Sequence, residues 1–220
     1  MSLLRVDASI QGDRSASGAL ADLVLAEVVA GQSDVAVVRR HLGRDPLPAN
    51  AWQAAVLGGF TPEGDRTAEQ REALDLAARL ADELRSATSA ILALPLYNFG
   101  VSQHVKTWID LAVAGSAPGT RLLEGKPVVL VTTRGGAYGA GTPRHGWDHN
   151  TDYLQRMLVD VWGAELTMVE REFTLVGVNP ELDDFKDIAA QFHAEALAAA
   201  RAAGKALAAT RDAGKALAAR

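Results

Sequence analysis

The sequence predicts a single α/β domain in which a parallel β-sheet carries helices on both faces. Its 220 residues suit one domain of this class, and 48% of them are apolar, which is enough for a sizeable core. Short apolar runs alternate with helical patterns along most of the chain, as in parallel strands joined by helical crossovers. We expect the domain to span residues 1–207 and an alanine-rich helical tail, without an assigned function, to span residues 208–220.

Five runs are predicted as strands. Three of them are nearly continuous in apolar residues, which indicates central strands covered on both faces. These are Leu3–Ala8, Ala90–Leu94 and Pro127–Thr133, and the other two are Asp34–Arg39 and Glu165–Glu172. Five such strands suit a flavodoxin-like three-layer sandwich, and we expect its strand order, 2-1-3-4-5.

Helical patterns fill the intervals between the strands. They cover Ser17–Ala30, Thr67–Arg85, Ser102–Ala114, Asp148–Trp162 and Asp183–Leu207. The stretch Leu42–Arg66 is longer than an ordinary connection and holds one short helical pattern around Asn50–Leu57. Long loops in compact domains are often lids or interface elements, and a plain surface insertion is an equally good interpretation here.

Composition excludes several classes of function. The formal net charge of -5 and the pI near 5.5 argue against a nucleic-acid binder and a basic membrane-surface protein. The chain has no cysteine, which rules out disulfides, thiolate catalysis and iron–sulfur clusters. Neither a membrane span nor a signal peptide is evident, so we expect a cytoplasmic protein. The histidine spacing predicts no metal site, and the nearest approach is Asp148 and His149 with Asp152.

The loop after the first strand is suited to an anion. It contains Ser9, Gly12, Arg14, Ser15 and Ser17, and a predicted helix begins within it. The first turn of a helix offers unpaired N–H groups and a partial positive charge to a phosphate, and serine hydroxyls can donate to it as well. The simpler alternative is that Ser15 or Ser17 only caps the helix. The loop matches neither the Walker A pattern nor GxGxxG.

Two further loops are expected at the same edge of the sheet. Pro95–Gly100 follows the third predicted strand and combines aromatic side chains with Asn98, which suits a flat heterocycle. Thr132–Gly141 follows the fourth strand, and the adjacent glycines Gly135 and Gly136 allow a ligand to approach the backbone closely. Taken alone, the first is better explained as a buried aromatic turn, and the alternative for the second is a flexible glycine loop. Their coincidence at one edge favours a common binding site.

These motifs resemble the FMN-dependent NADH azoreductases, or NADH:quinone oxidoreductases, of the flavodoxin-like fold. The resemblance runs to about Leu207 and rests on three segments: Ser9 with Arg14-Ser15-Ala16-Ser17, Pro95-Leu96-Tyr97-Asn98-Phe99, and Thr133-Arg134-Gly135-Gly136. It implies that Ser9 and Ser15–Ser17 hold the phosphate and ribityl chain of FMN. It also implies that Leu96–Phe99 and Thr133–Gly136 line the isoalloxazine ring, and that the protein forms homodimers with each active site at the interface.

The chain departs from the family pattern at two places. Thr133 stands where the family commonly has serine, a change that keeps the hydroxyl. The stretch Tyr138–His149 is unusual, and we expect it to lie near the flavin and to shape the substrate pocket.

The activity implied by the resemblance is two-electron, ping-pong hydride transfer from NADH or NADPH, through bound FMN, to a quinone or azo compound. Tyr97, Tyr138, His145 and His149 are candidate proton donors, although surface or structural roles are commoner for such histidines. Arg121, Arg134 and Arg144 are candidates for a 2′-phosphate clamp. Two alternatives stay open: a reductase dedicated to one aromatic or quinonoid biosynthetic intermediate, and a flavodoxin-like electron-transfer protein.

Overall fold

The computed structural model describes the backbone of residues 2–31 and 34–218, and the side chains of these ranges up to residue 210. Five parallel strands form one sheet: β1 (Ser2–Asp7), β2 (Ala36–His41), β3 (Ser89–Ala93), β4 (Pro127–Thr133) and β5 (Glu165–Arg171). Their order is β2-β1-β3-β4-β5, which confirms the predicted fold class and strand order.

The three continuous apolar runs are the three central strands. Every residue of β3 is buried, and so are all residues of β4 after Pro127. The edge strands β2 and β5 are largely half-buried or exposed, as expected for strands with one unpaired side. One central position breaks the pattern, because Arg5 of β1 is buried. Its guanidinium is paired with Asp7 and with Asp22, and these contacts compensate for its desolvation.

In the described part of the chain, six α-helices cover the sheet: α1 (Ala16–Gly31), α2 (Ala51–Phe60), α3 (Ala68–Ser86), α4 (Gln103–Ala114), α5 (Thr151–Gln155) and α6 (Lys186–Ala218). Helices α1 and α6 pack on one face of the sheet, and the core of the other face is formed with α2, α3, α4 and α5. Trp108 and Trp162 meet edge to face in that second core, with ring centroids 5.7 Å apart.

Capping residues explain where helices begin. Thr67 and Gln70 form a reciprocal capping box at α3, and Ser102 caps α4. Two predicted helices begin later than expected. The segment predicted as Asp148–Trp162 begins at Thr151 and becomes π-helical over Arg156–Val161. The helix predicted from Asp183 is preceded by a 3₁₀ helix, Pro180–Phe185, because Pro180 and its neighbours start a tighter turn.

The long stretch Leu42–Arg66 is partly ordered by α2. Ala51, Ala54 and Ala55 are buried against the core, whereas the large side chains of this helix are exposed. Helix α6 runs without a break past Leu207, so the predicted boundary before the tail falls inside a helix. Residues 219 and 220 of that tail, and its side chains from 211 onward, lie outside the described residues. Within the described chain, no helix is long and apolar enough to cross a bilayer.

Candidate functional site

The loops that follow β1, β3 and β4 meet at the carboxyl edge of the sheet. Hydrogen bonding continues beyond the ends of the strands: Ala8 N–H donates to the Ala93 carbonyl and Leu96 N–H donates to the Thr133 carbonyl, both at 3.0 Å. These bonds hold the starts of the three loops side by side. The structure therefore brings together the three loops that were predicted to share a binding site.

The first loop presents the N-terminus of α1 and three buried serines. Ser15 Oγ accepts the Gly18 N–H at 2.9 Å and so caps the helix, and it lies 3.2 Å from Ser17 Oγ. Ser9 is buried in the same loop. No hydrogen bond within the described part of the chain uses the backbone N–H groups of Ala16 and Ser17. The capping alternative thus holds for Ser15, and donors for an anion are still available at this helix end.

Arg14 precedes this helix end on an exposed 3₁₀ turn. Gly12 opens the turn with a φ of +56°, a left-handed conformation that glycine adopts at little cost. The neighbouring Asp13 is paired with Arg44 on the other side of the loop. Among the described residues, no carboxylate pairs with Arg14, so its guanidinium can turn toward a phosphate at α1.

The second loop is a tight and strained turn. Tyr97 and Gly100 exchange backbone hydrogen bonds of 3.2 and 3.0 Å, and the two residues between them have positive φ, 47° at Asn98 and 68° at Phe99. Asparagine tolerates this region, but it is uncommon for a bulky residue such as phenylalanine. Such strain, on the order of 1–3 kcal/mol, persists where surrounding contacts fix the conformation, and it is common at ligand sites.

The Tyr97 hydroxyl joins the second loop to the first. It accepts the Ile10 N–H at 3.1 Å and lies 3.4 Å from Ser9 Oγ. Tyr97 was one of the candidate proton donors, and these contacts hold its hydroxyl at the serine loop. Its hydrogen bonds fix the distance between the anion-suited helix end and the aromatic turn.

The third loop is covered by a segment that the sequence did not reveal. The Gly135 carbonyl accepts the Leu175 N–H at 3.1 Å, and the Gly136 carbonyl accepts the Phe173 N–H at 3.2 Å. The Leu175 side chain lies so close to Gly135 that a Cβ there would be 2.7 Å from it. A side chain at position 135 would therefore require the Leu175 side chain to move.

The Arg134 side chain forms ion pairs and hydrogen bonds within the protein. It donates to Asp148 and Glu170, each at 2.6 Å, and to Thr151 Oγ1 at 2.9 Å. Burial alone would lower the pKa of Arg134, but these carboxylates outweigh it and raise the pKa above its usual value. Its backbone N–H donates to the Arg171 carbonyl. Arg134 thus braces the third loop against β5 and the start of α5.

Asp148 is the partner that links this cluster to the following helix. Its Oδ1 accepts the N–H groups of Asn150 and Thr151, at 2.8 and 2.9 Å. Burial would raise the pKa of Asp148, but hydrogen bonds from Thr151, Arg134 and Asn150 hold it below its ordinary value. Asp148 is therefore an ionised structural residue. No group of side chains in the described chain is arranged to hold a metal ion, at Asp148 or elsewhere.

The stretch Tyr138–His149 folds back onto the second loop. Its His149 N–H donates to the Phe99 carbonyl at 2.9 Å, and the Phe99 ring lies edge-on to Trp147, with centroids 5.5 Å apart. Tyr138 also packs against Phe99, with ring centroids 6.2 Å apart. An aromatic surface thus forms next to Gly136, at the part of the edge where a flat ring was expected.

Comparison with known proteins agrees with this geometry. A family model described as "Flavodoxin-like fold" matches residues 1–202. An FMN-dependent NADH:quinone oxidoreductase from Frankia casuarinae is 37% identical over 204 residues, which cover 90% of this chain and 96% of that protein. The chain belongs to the flavodoxin-like family of FMN-dependent NADH:quinone oxidoreductases.

Solved structures show the same fold. The crystal structure of an azoreductase from Bacillus anthracis has a TM-score of 0.73 at 22% identity and covers 93% of this chain and 99% of its own. A second structure from that species, an FMN-dependent NADH-azoreductase in complex with FMN, has a TM-score of 0.69 at 19% identity. It covers 92% of this chain and 99% of its own.

Within this oxidoreductase family, the residues predicted for the site divide into two groups. The backbone loops and the side chains of Ser9, Ser15, Ser17 and Phe99 line one continuous edge. The Arg134 side chain is used inside the protein instead, and His145 is exposed without a side-chain partner among the described residues. Sequence reasoning missed the cover formed by Phe173–Leu175, because this segment follows an edge strand and carries no motif.

Proposed function

We propose that this protein is an FMN-dependent NADH oxidoreductase that reduces quinones or azo compounds. The single observation that carries the proposal is the shape of the carboxyl edge of the sheet. A helix N-terminus with buried serines lies at one end of that edge, an aromatic turn lies at the other, and Tyr97 joins the two. This arrangement supports a ligand with a phosphate at one end and a flat ring at the other.

The residues present fit FMN. The free N–H groups of Ala16 and Ser17, with the Ser17 hydroxyl and Arg14, would hold the phosphate. The strained turn at Asn98 and Phe99, with Thr133, Gly135 and Gly136, would position the ring. When bound, FMN supplies two-electron chemistry between a nicotinamide donor and the acceptor.

The protein's own contribution to the reaction is binding and orientation. Hydride transfer needs no protein acid or base, and the hydrogen bonds of Tyr97 serve to hold the loops. Among the other candidate proton donors, Tyr138 lies against Phe99 and is the one that faces the aromatic surface. His145 and His149 are both exposed. A cytoplasmic location, where NADH is available, agrees with this proposal.

We further propose a homodimer in which the partner completes the active site. Helix α2 exposes three large apolar side chains on the insertion, with Trp52 at 48%, Leu57 at 51% and Phe60 at 86% of full exposure. Apolar side chains clustered on one short helix are typical of an interface. The double variant Trp52→Asp with Phe60→Asp should sediment as a monomer and lose quinone reduction. A dimer that is unaffected by both substitutions would exclude α2 from the interface.

The test of the proposed function is anaerobic titration of the FMN-loaded protein with NADH. We expect the yellow colour to bleach, and adding a quinone should restore it over many cycles. A protein that takes up no FMN, or whose bound FMN is not reduced by NADH, would contradict the proposal. A one-electron reduced flavin that accumulates during photoreduction would favour the electron-transfer alternative.

A further inference from the structure

The loop that folds over the aromatic turn carries an arginine, Arg144, that forms no ion pair with the described residues. The Arg144 guanidinium carbon lies 6.0 Å from the centroid of the Phe99 ring and 5.9 Å from that of Tyr138. No carboxylate pairs with it among the described residues. The other two arginines considered for a phosphate clamp are both engaged, Arg121 with Glu124 and Arg134 with its acidic cluster.

Arg144 also lies directly over the third loop. A Cβ added at Gly136 would be 3.0 Å from one of its terminal nitrogens. Gly136 belongs to the backbone proposed to position the flat ring, so the guanidinium lies at the aromatic end of the site and not at the serine end. Any aromatic acceptor that reaches this end of the site comes close to a positive charge.

The backbone of this loop is ordered even though its side chains are exposed. Thr142 Oγ1 donates to the Gly139 carbonyl at 2.8 Å, and two consecutive turns follow, closed by the N–H groups of His145 and Trp147. Gly141, just before the first turn, and Gly146, within the second, both have positive φ. The loop thus presents Arg144 in a defined place, while the contacts of the guanidinium with the described residues are cation–π contacts. At exposed sites such contacts are weak, so a ligand can displace them.

We infer that Arg144 is a specificity residue that selects planar aromatic acceptors carrying a carboxylate or another oxyanion on the ring. The inference rests on the proposed function. A guanidinium offers two parallel N–H donors to a carboxylate, and its flat face can remain against the aromatic rings meanwhile. The phosphates of the nicotinamide donor are the competing partner. The position of Arg144 beside Phe99 and Gly136 favours the acceptor, because a ring substituent places its charge immediately next to the ring.

The kinetic test compares a carboxylated azobenzene with its methyl ester, which differ in charge and share the reducible bond. The measured quantity is the ratio of kcat/KM for the acid to kcat/KM for the ester. This ratio should fall about tenfold in Arg144→Gln and recover in part in Arg144→Lys. The matched control is Arg156→Gln, an exposed arginine at the start of the π-helical segment, where the ratio should stay at the wild-type value.

An acid-to-ester ratio that is the same in Arg144→Gln as in the wild type would overturn the inference. If KM for NADH or NADPH rises in that variant at the same time, Arg144 is assigned to the phosphates of the donor instead.

The affinity for a carboxylated ring tests the inference without catalytic turnover. Calorimetric titration of the FMN-loaded protein with a naphthalene carboxylate and with the corresponding carboxamide should show about tenfold tighter binding of the carboxylate. The preference should disappear in Arg144→Gln. Equal affinities in the wild type would overturn the inference. Failure of the proposed function looks different, because neither the azo acid nor its ester would then be reduced while the calorimetric preference could persist.

Discussion

The two ends of the site are built in opposite ways. The serine end is buried and hydrogen-bonded, with Ser17 at 1% and Ser15 at 8% of full exposure, and Tyr97 ties it to the neighbouring loop. The aromatic end is formed by an exposed loop whose contacts are mostly ring packing, and Trp147 is 51% exposed. A fixed polar end suits a cofactor that stays bound. An open apolar end suits acceptors that must enter and leave in every turnover.

The largest expected effect is a loss of FMN affinity when the serine hydroxyls at the buried end are removed. The double variant Ser15→Ala with Ser17→Ala should weaken FMN binding, by roughly 1.5–3 kcal/mol for each lost bond to the phosphate. Because Ser15 also caps α1, the single variant Ser17→Ala is the cleaner probe of phosphate binding. Fluorescence titration of the apoprotein measures the FMN dissociation constant, with Ser116→Ala as a control outside the loop. An unchanged constant in the double variant would remove the phosphate from this loop.

The next largest expected effect is a loss of stability when the ion pair between Arg134 and Asp148, next to the third loop, is removed. Asp148→Ala removes a helix-capping acceptor and an ion pair to a buried arginine, and it should lower the free energy of unfolding by about 2–3 kcal/mol. Asp148→Asn keeps the capping acceptor and should lose less. Urea unfolding of the two variants at neutral pH measures both values. A loss under about 0.5 kcal/mol in Asp148→Ala would show that the contacts of Asp148 with Arg134 and the start of α5 do not stabilise the fold.

The same residue gives a pH dependence with a definite sign. Since the pKa of Asp148 is lowered in the folded state, its ionised form stabilises the protein above the unfolded pKa of about 4. This contribution is lost as the pH falls through the folded value. The stability difference between wild type and Asp148→Asn should therefore be complete at neutral pH and shrink in acid. A difference that grows as the pH falls would contradict the direction of the shift.

The smallest expected effect belongs to the open end. Trp147→Ala removes one ring of the aromatic surface, and a ring contact with an acceptor is worth about 0.5–1.5 kcal/mol, so KM for an aromatic acceptor should rise about threefold to tenfold. Steady-state kinetics with a quinone measures this change. The FMN dissociation constant should stay within about twofold of the wild type, because the hydrogen bond and ring contact that Trp147 makes within the described chain involve Arg144 and Phe99 and not the serine loop. An equal loss of FMN affinity and acceptor affinity would mean that the two ends do not act separately.

The sequence predicted those parts of the fold that depend on residues close together in the chain. Continuous apolar runs identified β1, β3 and β4 as central strands, and the helical patterns predicted from Thr67 and Ser102 begin at the residues that cap α3 and α4 in the structure. The Arg134 cluster could not be predicted in this way, because residues 134, 148 and 170 meet only after the sheet has formed. The positive φ of Phe99 was also beyond the sequence, since such strain depends on contacts from distant loops.

Binding of the FMN phosphate by the first turn of α1 can be measured by comparing FMN with riboflavin. Riboflavin has the same ring and ribityl chain but no phosphate. Titration of the apoprotein with each flavin should show that FMN binds at least about a hundredfold more tightly, because several charge-assisted hydrogen bonds are lost with riboflavin. Equal affinities would show that the serine loop does not recognise the phosphate and would contradict the proposed phosphate site at α1.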